Sequence, residues 1–189
     1  MVKNVVPENK GVGMRRAMFL LAAMVALLAL SAGSAFAAVV SGTASDDALE
    51  GTKAPDSLFA QGGDDRLNGR GAGDALFGQA DDDLFVDTSG HDLLRGSSGA
   101  DLFAGNPGDD AVHAGRGADL ILDDLGEDLL SGGRGNDAIS VAGFGPGPPE
   151  LFEESDKIVC GPGLDAVDAH PSDVVANDCE EVNIVPSPF

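Results

Sequence analysis

The sequence predicts an all-β solenoid, a stack of short repeats wound around a thin apolar core. Three observations predict it. A period of nine residues runs unbroken from Gly42 to Ser140. The eighth place of each of the eleven units is apolar, from Leu49 through Phe85 and Phe103 to Ile139. The sixth place is Asp in all eleven. Fixed periods of this kind mark repeat architectures, in which each unit buries its apolar side only by stacking on its neighbours.

Residues 1–37 come before the repeats and read as an export segment. Arg15 and Arg16 form a basic start, Ala17 to Leu30 is an apolar run of 14 residues, and Ala35-Phe36-Ala37 is a small-x-small cleavage signal. The run is too short for a comfortable membrane span, so the expectation is a secretory signal peptide cut after Ala37. Met14 is an alternative start, and no Cys follows the run to carry a lipid anchor. The expected location is therefore extracellular, with no stable membrane anchor after cleavage.

Residues 38–140 form the repeat region. Read in frame, the units include GTASDDALE, GQADDDLFV, AGRGADLIL and GGRGNDAIS. The Asp column is Asp47, Asp56, Asp65, Asp74, Asp83, Asp92, Asp101, Asp110, Asp119, Asp128 and Asp137. An acidic, Gly-rich chain without Trp or Tyr is by composition a candidate for disorder. The pattern overrides that reading. Of 19 Asp in this stretch, 11 fall in one column and 8 are spread over the other eight columns, whereas a solvated tract would scatter them.

These units resemble the RTX nonapeptide GGxGxDxUx, where U is a large apolar residue, and GGRGNDAIS matches it at every defined position. The resemblance covers 99 residues, more than half of the chain. It implies a parallel β-roll with two units per coil. It also implies that calcium is held between turns by the Asp side chains and turn carbonyls.

The chemistry is consistent with that implication. In a three-residue strand only the middle side chain faces the core, because alternate side chains point to opposite faces. Stacked strands lie about 4.8 Å apart, and two carboxylates at that spacing repel by about 3.5 kcal/mol at an effective dielectric of about 20. A dication between them reverses the sign. Calcium takes six to eight oxygens in flexible geometry, whereas magnesium demands a tighter octahedron and keeps its waters. The expected ligands are Asp65, Asp74, Asp83, Asp92, Asp101, Asp110, Asp119, Asp128 and Asp137, for several calcium ions.

The fourth place is Gly from Gly90 onward but reads Ser45, Ala54, Gly63, Ala72 and Asp81 before it. Weaker turn geometry is thus expected in the N-terminal half, with the best sites from Asp92 to Asp137. Asp47 and Asp56 are expected to cap the stack. The additional acids Asp64, Asp82, Asp87, Asp109 and Asp123 could add ligands, but they read first as solvated turn residues.

Residues 141–155, rich in Pro and Gly, read as a loop or linker. Residues 156–189 repeat the rhythm in degenerate form, with Asp156, Asp165 and Asp173 each before an apolar pair or strand-like triplet. Cys160 and Cys179 are an even pair in an exported chain, which suggests one disulfide; it would close a loop of about 20 residues and stabilise by about 3 kcal/mol. Free thiols and a soft-metal site are the alternatives, although no His stands at zinc-ligand spacing. The region resembles the disulfide-tied end of exported bacterial calcium-binding repeat proteins. A small disulfide-linked C-terminal cap is the expectation, since a solenoid end exposes its core; a partner-binding role for residues 156–182 is the alternative.

Charge narrows the function further. Beyond the leader the chain has 7 basic and 31 acidic residues. That excess argues against nucleic acid and against anionic membranes. His91, His113 and His170 stand beside no nucleophile and read as surface residues, so a non-enzymatic protein is expected. The competing readings are an extracellular adhesion or matrix module, binding a polymer or another copy, and a polysaccharide-modifying β-helix enzyme. The very small units and the absence of Tyr weigh against the enzyme.

Overall fold

A computed structural model describes residues 36–86, 89–104, 107–123, 125–141 and 155–185. The expected leader up to residue 35 and most of the Pro/Gly-rich segment lie outside the described residues. Among the described residues there are sixteen strands and no helix, hence none long and apolar enough to cross a membrane.

Numbered in chain order, the strands alternate between two eight-stranded sheets. The first sheet holds β1 (Val39–Ser41), β3 (Ser57–Phe59), β5 (Ala75–Ala80), β7 (Leu93–Ser98), β9 (Ala111–Arg116), β11 (Leu129–Arg134), β13 (Lys157–Val159) and β15 (Val174–Val175). The second holds β2 (Ala48–Glu50), β4 (Arg66–Asn68), β6 (Leu84–Val86), β8 (Leu102–Ala104), β10 (Leu120–Leu122), β12 (Ala138–Ser140), β14 (Ala166–Ala169) and β16 (Glu181–Ile184). Every pairing is parallel, and each strand pairs with the strands two before and two after it. One coil is therefore two units, and the fold is the parallel β-solenoid expected.

Register follows the repeat. Leu58 lies opposite Leu76, Leu76 opposite Leu94, and Leu94 opposite Val112, each step 18 residues. Leu130 lies opposite Ile158, a step of 28, so the strands on either side of the undescribed residues stay in register. The step then contracts to 17 between Ile158 and Val175 and to 15 between Val167 and Val182. The degenerate C-terminal repeats thus continue both sheets. The expected disulfide joins Cys160 to Cys179 there.

The eighth-place side chains form two buried columns, one beneath each sheet. Leu58, Leu67, Leu76, Phe85, Phe103 and Leu130 have no exposed surface at all. Phe85 and Phe103 stack with ring centroids 4.5 Å apart, one coil's rise. β5, β7, β9 and β11 are longer than the three residues expected, because pairing resumes beyond the first place of the following unit, as at Gly115 with Gly133.

The turns explain the glycine column. A Cβ on Gly108 or Gly135 would lie 1.4 Å from the carbonyl oxygen one coil below, which no side chain tolerates. The fourth place of the earlier units departs from this geometry: Ala72 and Asp81 fall well short of the φ of +143° to +155° held by the glycines from Gly90 to Gly135. Arg70, Ala72 and Asp81 hold φ of +82°, +83° and +72°. Neighbouring coils dictate the turn, and these residues carry a strain of about 1–3 kcal/mol each.

Candidate metal centre

The Asp column folds into two ladders, one at the turn leading into each sheet. Within a ladder each Asp Oδ1 accepts the backbone N–H of the Asp one coil earlier. Donor–acceptor distances are 3.0 Å from Asp65 to Asp83, 2.9 Å from Asp83 to Asp101, 2.8 Å from Asp101 to Asp119 and 3.0 Å from Asp119 to Asp137. The other ladder repeats this from Asp74 to Asp92 at 2.7 Å, Asp92 to Asp110 at 2.8 Å and Asp110 to Asp128 at 2.7 Å. It begins at Asp56, which donates to Asp74 at 2.7 Å. The sixth place thus has a backbone role. Its side chain replaces a strand hydrogen bond at the turn and fixes both carboxylate and register.

All nine expected ligand residues are buried. Asp56 is buried as well, whereas Asp47 is half-buried at the end of the stack. In the ladder entering the second sheet, the other carboxylate oxygen has no hydrogen-bond partner. This holds for the buried Oδ2 of Asp65, Asp83, Asp101, Asp119, Asp137 and, in the degenerate region, Asp165. An anionic oxygen held away from water without a donor is costly. The protonation equilibria register that cost. Burial, reinforced by the neighbouring ladder carboxylates, pushes Asp83 and Asp119 up to about 7. Burial likewise pushes Asp101 up to about 6, with Asp82 adding to it, and raises Asp65 and Asp137.

Among the described residues, a third carboxylate joins the ladder at one coil. The first place of a unit faces the interior, where Ala60, Ala114 and Cys160 are fully buried. That place abuts the ladder carboxylate of its own unit: a Cβ on Gly78 would lie 2.1 Å from Oδ2 of Asp83, and one on Gly96 2.1 Å from Oδ2 of Asp101. In the unit starting at Asp123 the same place holds an acid. Asp123 is 2% exposed, and one oxygen each from Asp110, Asp123 and Asp128 lie within 4.8 Å of one another. This corrects the reading of Asp123 as a solvated turn residue. The available signal was its position, an acid at the first place, where every other unit but the one starting at Asp87 carries Gly or Ala.

Asp64, Asp82 and Asp109 are exposed, as expected, and they form an outer rung. Their carboxylates accept the backbone N–H of Asp82, Ala100 and Glu127 at 3.2, 2.7 and 3.2 Å. Asp87 lies outside the described residues. His91 is exposed and accepts the N–H of Asp109 at 3.0 Å. His170 is 6% exposed, which corrects its reading as a surface residue; its backbone N–H donates to Asp173 Oδ2 at 2.6 Å.

The donors assembled are oxygens only, anionic, and set at a regular rise. Such a set suits a hard divalent cation of large radius and flexible coordination, and it lacks the nitrogen or sulfur that zinc or copper would select. A family model described as RTX calcium-binding nonapeptide repeat (4 copies) matches residues 41–76, 77–112 and 104–139, together more than half of the chain. No curated protein matches the chain, and no solved structure does.

Proposed function

Since the chain belongs to the RTX calcium-binding nonapeptide repeat family, we propose that it is an exported protein whose roll closes as its ladders take up several calcium ions. One observation carries this reading: the buried Oδ2 atoms of Asp65, Asp83, Asp101, Asp119 and Asp137, in one ladder, have no donor to satisfy them. A bound dication supplies the missing positive charge, and the binding free energy then becomes folding free energy. Asp65, Asp83, Asp101, Asp119 and Asp137 would hold ions in one ladder. Asp74, Asp92, Asp110 and Asp128 would do so in the other, with Asp123 adding a third carboxylate beside Asp110 and Asp128.

The leader of residues 1–37 supports export, and calcium outside cells is abundant enough to fill sites of moderate affinity. A binding module rather than an enzyme is supported by the employment of the ladder carboxylates, each of which already accepts a backbone N–H.

Calorimetric titration of the purified protein with calcium, paired with circular dichroism in chelator, tests the reading. Saturable heat from several sites and gain of strand signal on adding calcium are expected. A strand spectrum unchanged by excess chelator, with no heat on titration, sinks it.

A further inference from the structure

The outward faces of the two sheets differ in charge. On the first sheet Arg95, His113 and Lys157 interrupt the apolar residues. On the second, Leu84, Leu102 and Leu120 form one row in register, and Val86, Ala104 and Leu122 form the next. None of these six is buried. No charged side chain points outward from β6, β8, β10 or β12, in a molecule with 32 acidic residues. Beyond the leucine rows the face sinks into a shallow hollow over Ala138, Ser140 and Ala166, walled by Leu120 and Leu122 on one side and by Asp168, Glu181 and Asn183 on the other. Arg66 on β4 bounds the apolar zone at one margin, and Asp168 on β14 bounds it at the other.

We infer that this face pairs with the same face of a second copy, the two solenoid axes running in opposite directions. A two-fold axis along the strands, between β8 and β10, reverses strand order and sets β6 over the partner's β12 and β4 over the partner's β14. Leu84 and Val86 then fill the hollow above Ala138 and Ser140, Leu102 meets Leu120, and Arg66 comes to the margin that carries Asp168. Large sits on small and positive on negative, twice over by symmetry. With the strands in the same order, Arg66 would face Arg66 and the hollow would face the hollow.

The area sets the strength. Six strands about 4.8 Å apart and about 10 Å long give a footprint on the order of 300 Å² per copy. That is well under the roughly 800 Å² per partner of a standard interface, so the dimer is weak and reversible. The acidic copies also repel one another, so association strengthens with salt and with calcium occupancy of the ladders.

Sedimentation velocity of the purified protein in calcium, over a wide concentration range, tests this. A monomer–dimer equilibrium is expected. Leu102→Glu should weaken it at least about tenfold, because a charge at the centre of an apolar interface removes a hot spot. Arg66→Glu and Asp168→Arg should each weaken it, and the double variant should recover most of the loss. Residue 102 points away from the ladders, so Leu102→Glu should keep the wild-type calcium heat; that readout separates failure of pairing from failure of the calcium reading. A monomer at every concentration, a dimer indifferent to Leu102→Glu, or no recovery in the double variant overturns the proposal.

Discussion

The carboxylates of Asp123 and Asp128 converge inside the roll: the residues are 2% and 3% exposed, and with Asp110 they bring three oxygens within 4.8 Å. Three anions so placed oppose folding without a cation and favour its capture when one is present. Asp123→Ala restores the small residue found at Ala60 and Ala114. It is expected to stabilise the calcium-free roll by roughly 1–3 kcal/mol and to weaken calcium at this coil by about tenfold. Chemical denaturation in chelator and calorimetric titration measure the two halves. A variant less stable in chelator than the parent would contradict the account.

Protons compete with calcium for the same ladder. Asp83 and Asp119, pushed up to about 7, and Asp101, pushed up to about 6, hold protons in the folded chain that the unfolded chain, at its ordinary value of 3.8, has released. Folded-state values above the unfolded value mean stability that is full below about pH 4 and is lost as pH rises through about 6 to 7. The metal-free roll should therefore be most folded in mild acid and should loosen toward neutrality, opposite to ordinary acid unfolding. Calcium affinity should run the other way and fall as pH drops from about 8 to 5, because calcium must displace protons. Strand signal in metal-free buffer across that range is the check, and a signal that grows with rising pH would refute it.

Ala72 and Asp81 hold left-handed φ where later units carry glycine. Ala72→Gly and Asp81→Gly should each stabilise the calcium-loaded protein by about 0.5–1 kcal/mol, the relief of strain outweighing the greater freedom of glycine in the unfolded chain. In the other direction, Gly108→Ala should cost more than about 3 kcal/mol, since its Cβ would overlap the carbonyl oxygen of Gly90. Denaturant midpoints in calcium measure all three.

The sixth and eighth columns were sufficient to anticipate the solenoid, its core and the buried Asp ladders, because a nine-residue period couples side-chain direction to stacking. Position within the unit carried that information; composition carried almost none. What escaped the reading depended on contacts one coil away. Asp123 resembles Asp109 as a letter, yet its place faces the interior while that of Asp109 faces water. The left-handed turns at Arg70 and Asp81 run against local preference and are held by the coils above and below. His170 is buried just where the coil spacing contracts to 17 and 15 residues, and no periodic rule predicts that.

The disulfide sits where the repeat loses its regularity. Cys160, fully buried, takes the first place of a unit, and its carbonyl accepts the N–H of Gly133 in the preceding coil at 2.7 Å. Cys179 follows β15, so the bond ties the contracted final coil of β15 and β16 to the coil of β13 and β14 before it. Beyond it, β16 exposes all four of its residues, including Val182 and Ile184, so packing alone holds this end weakly. Cys160→Ser with Cys179→Ser should cost about 3 kcal/mol, as expected for a closed loop of this length. The loss should concentrate at the C-terminal end: hydrogen exchange should quicken first in β14 and β16, while β4, β6 and β8 keep their protection. Uniform loss of protection across both sheets would instead show that the roll unfolds as one cooperative unit, with the bond acting on all of it.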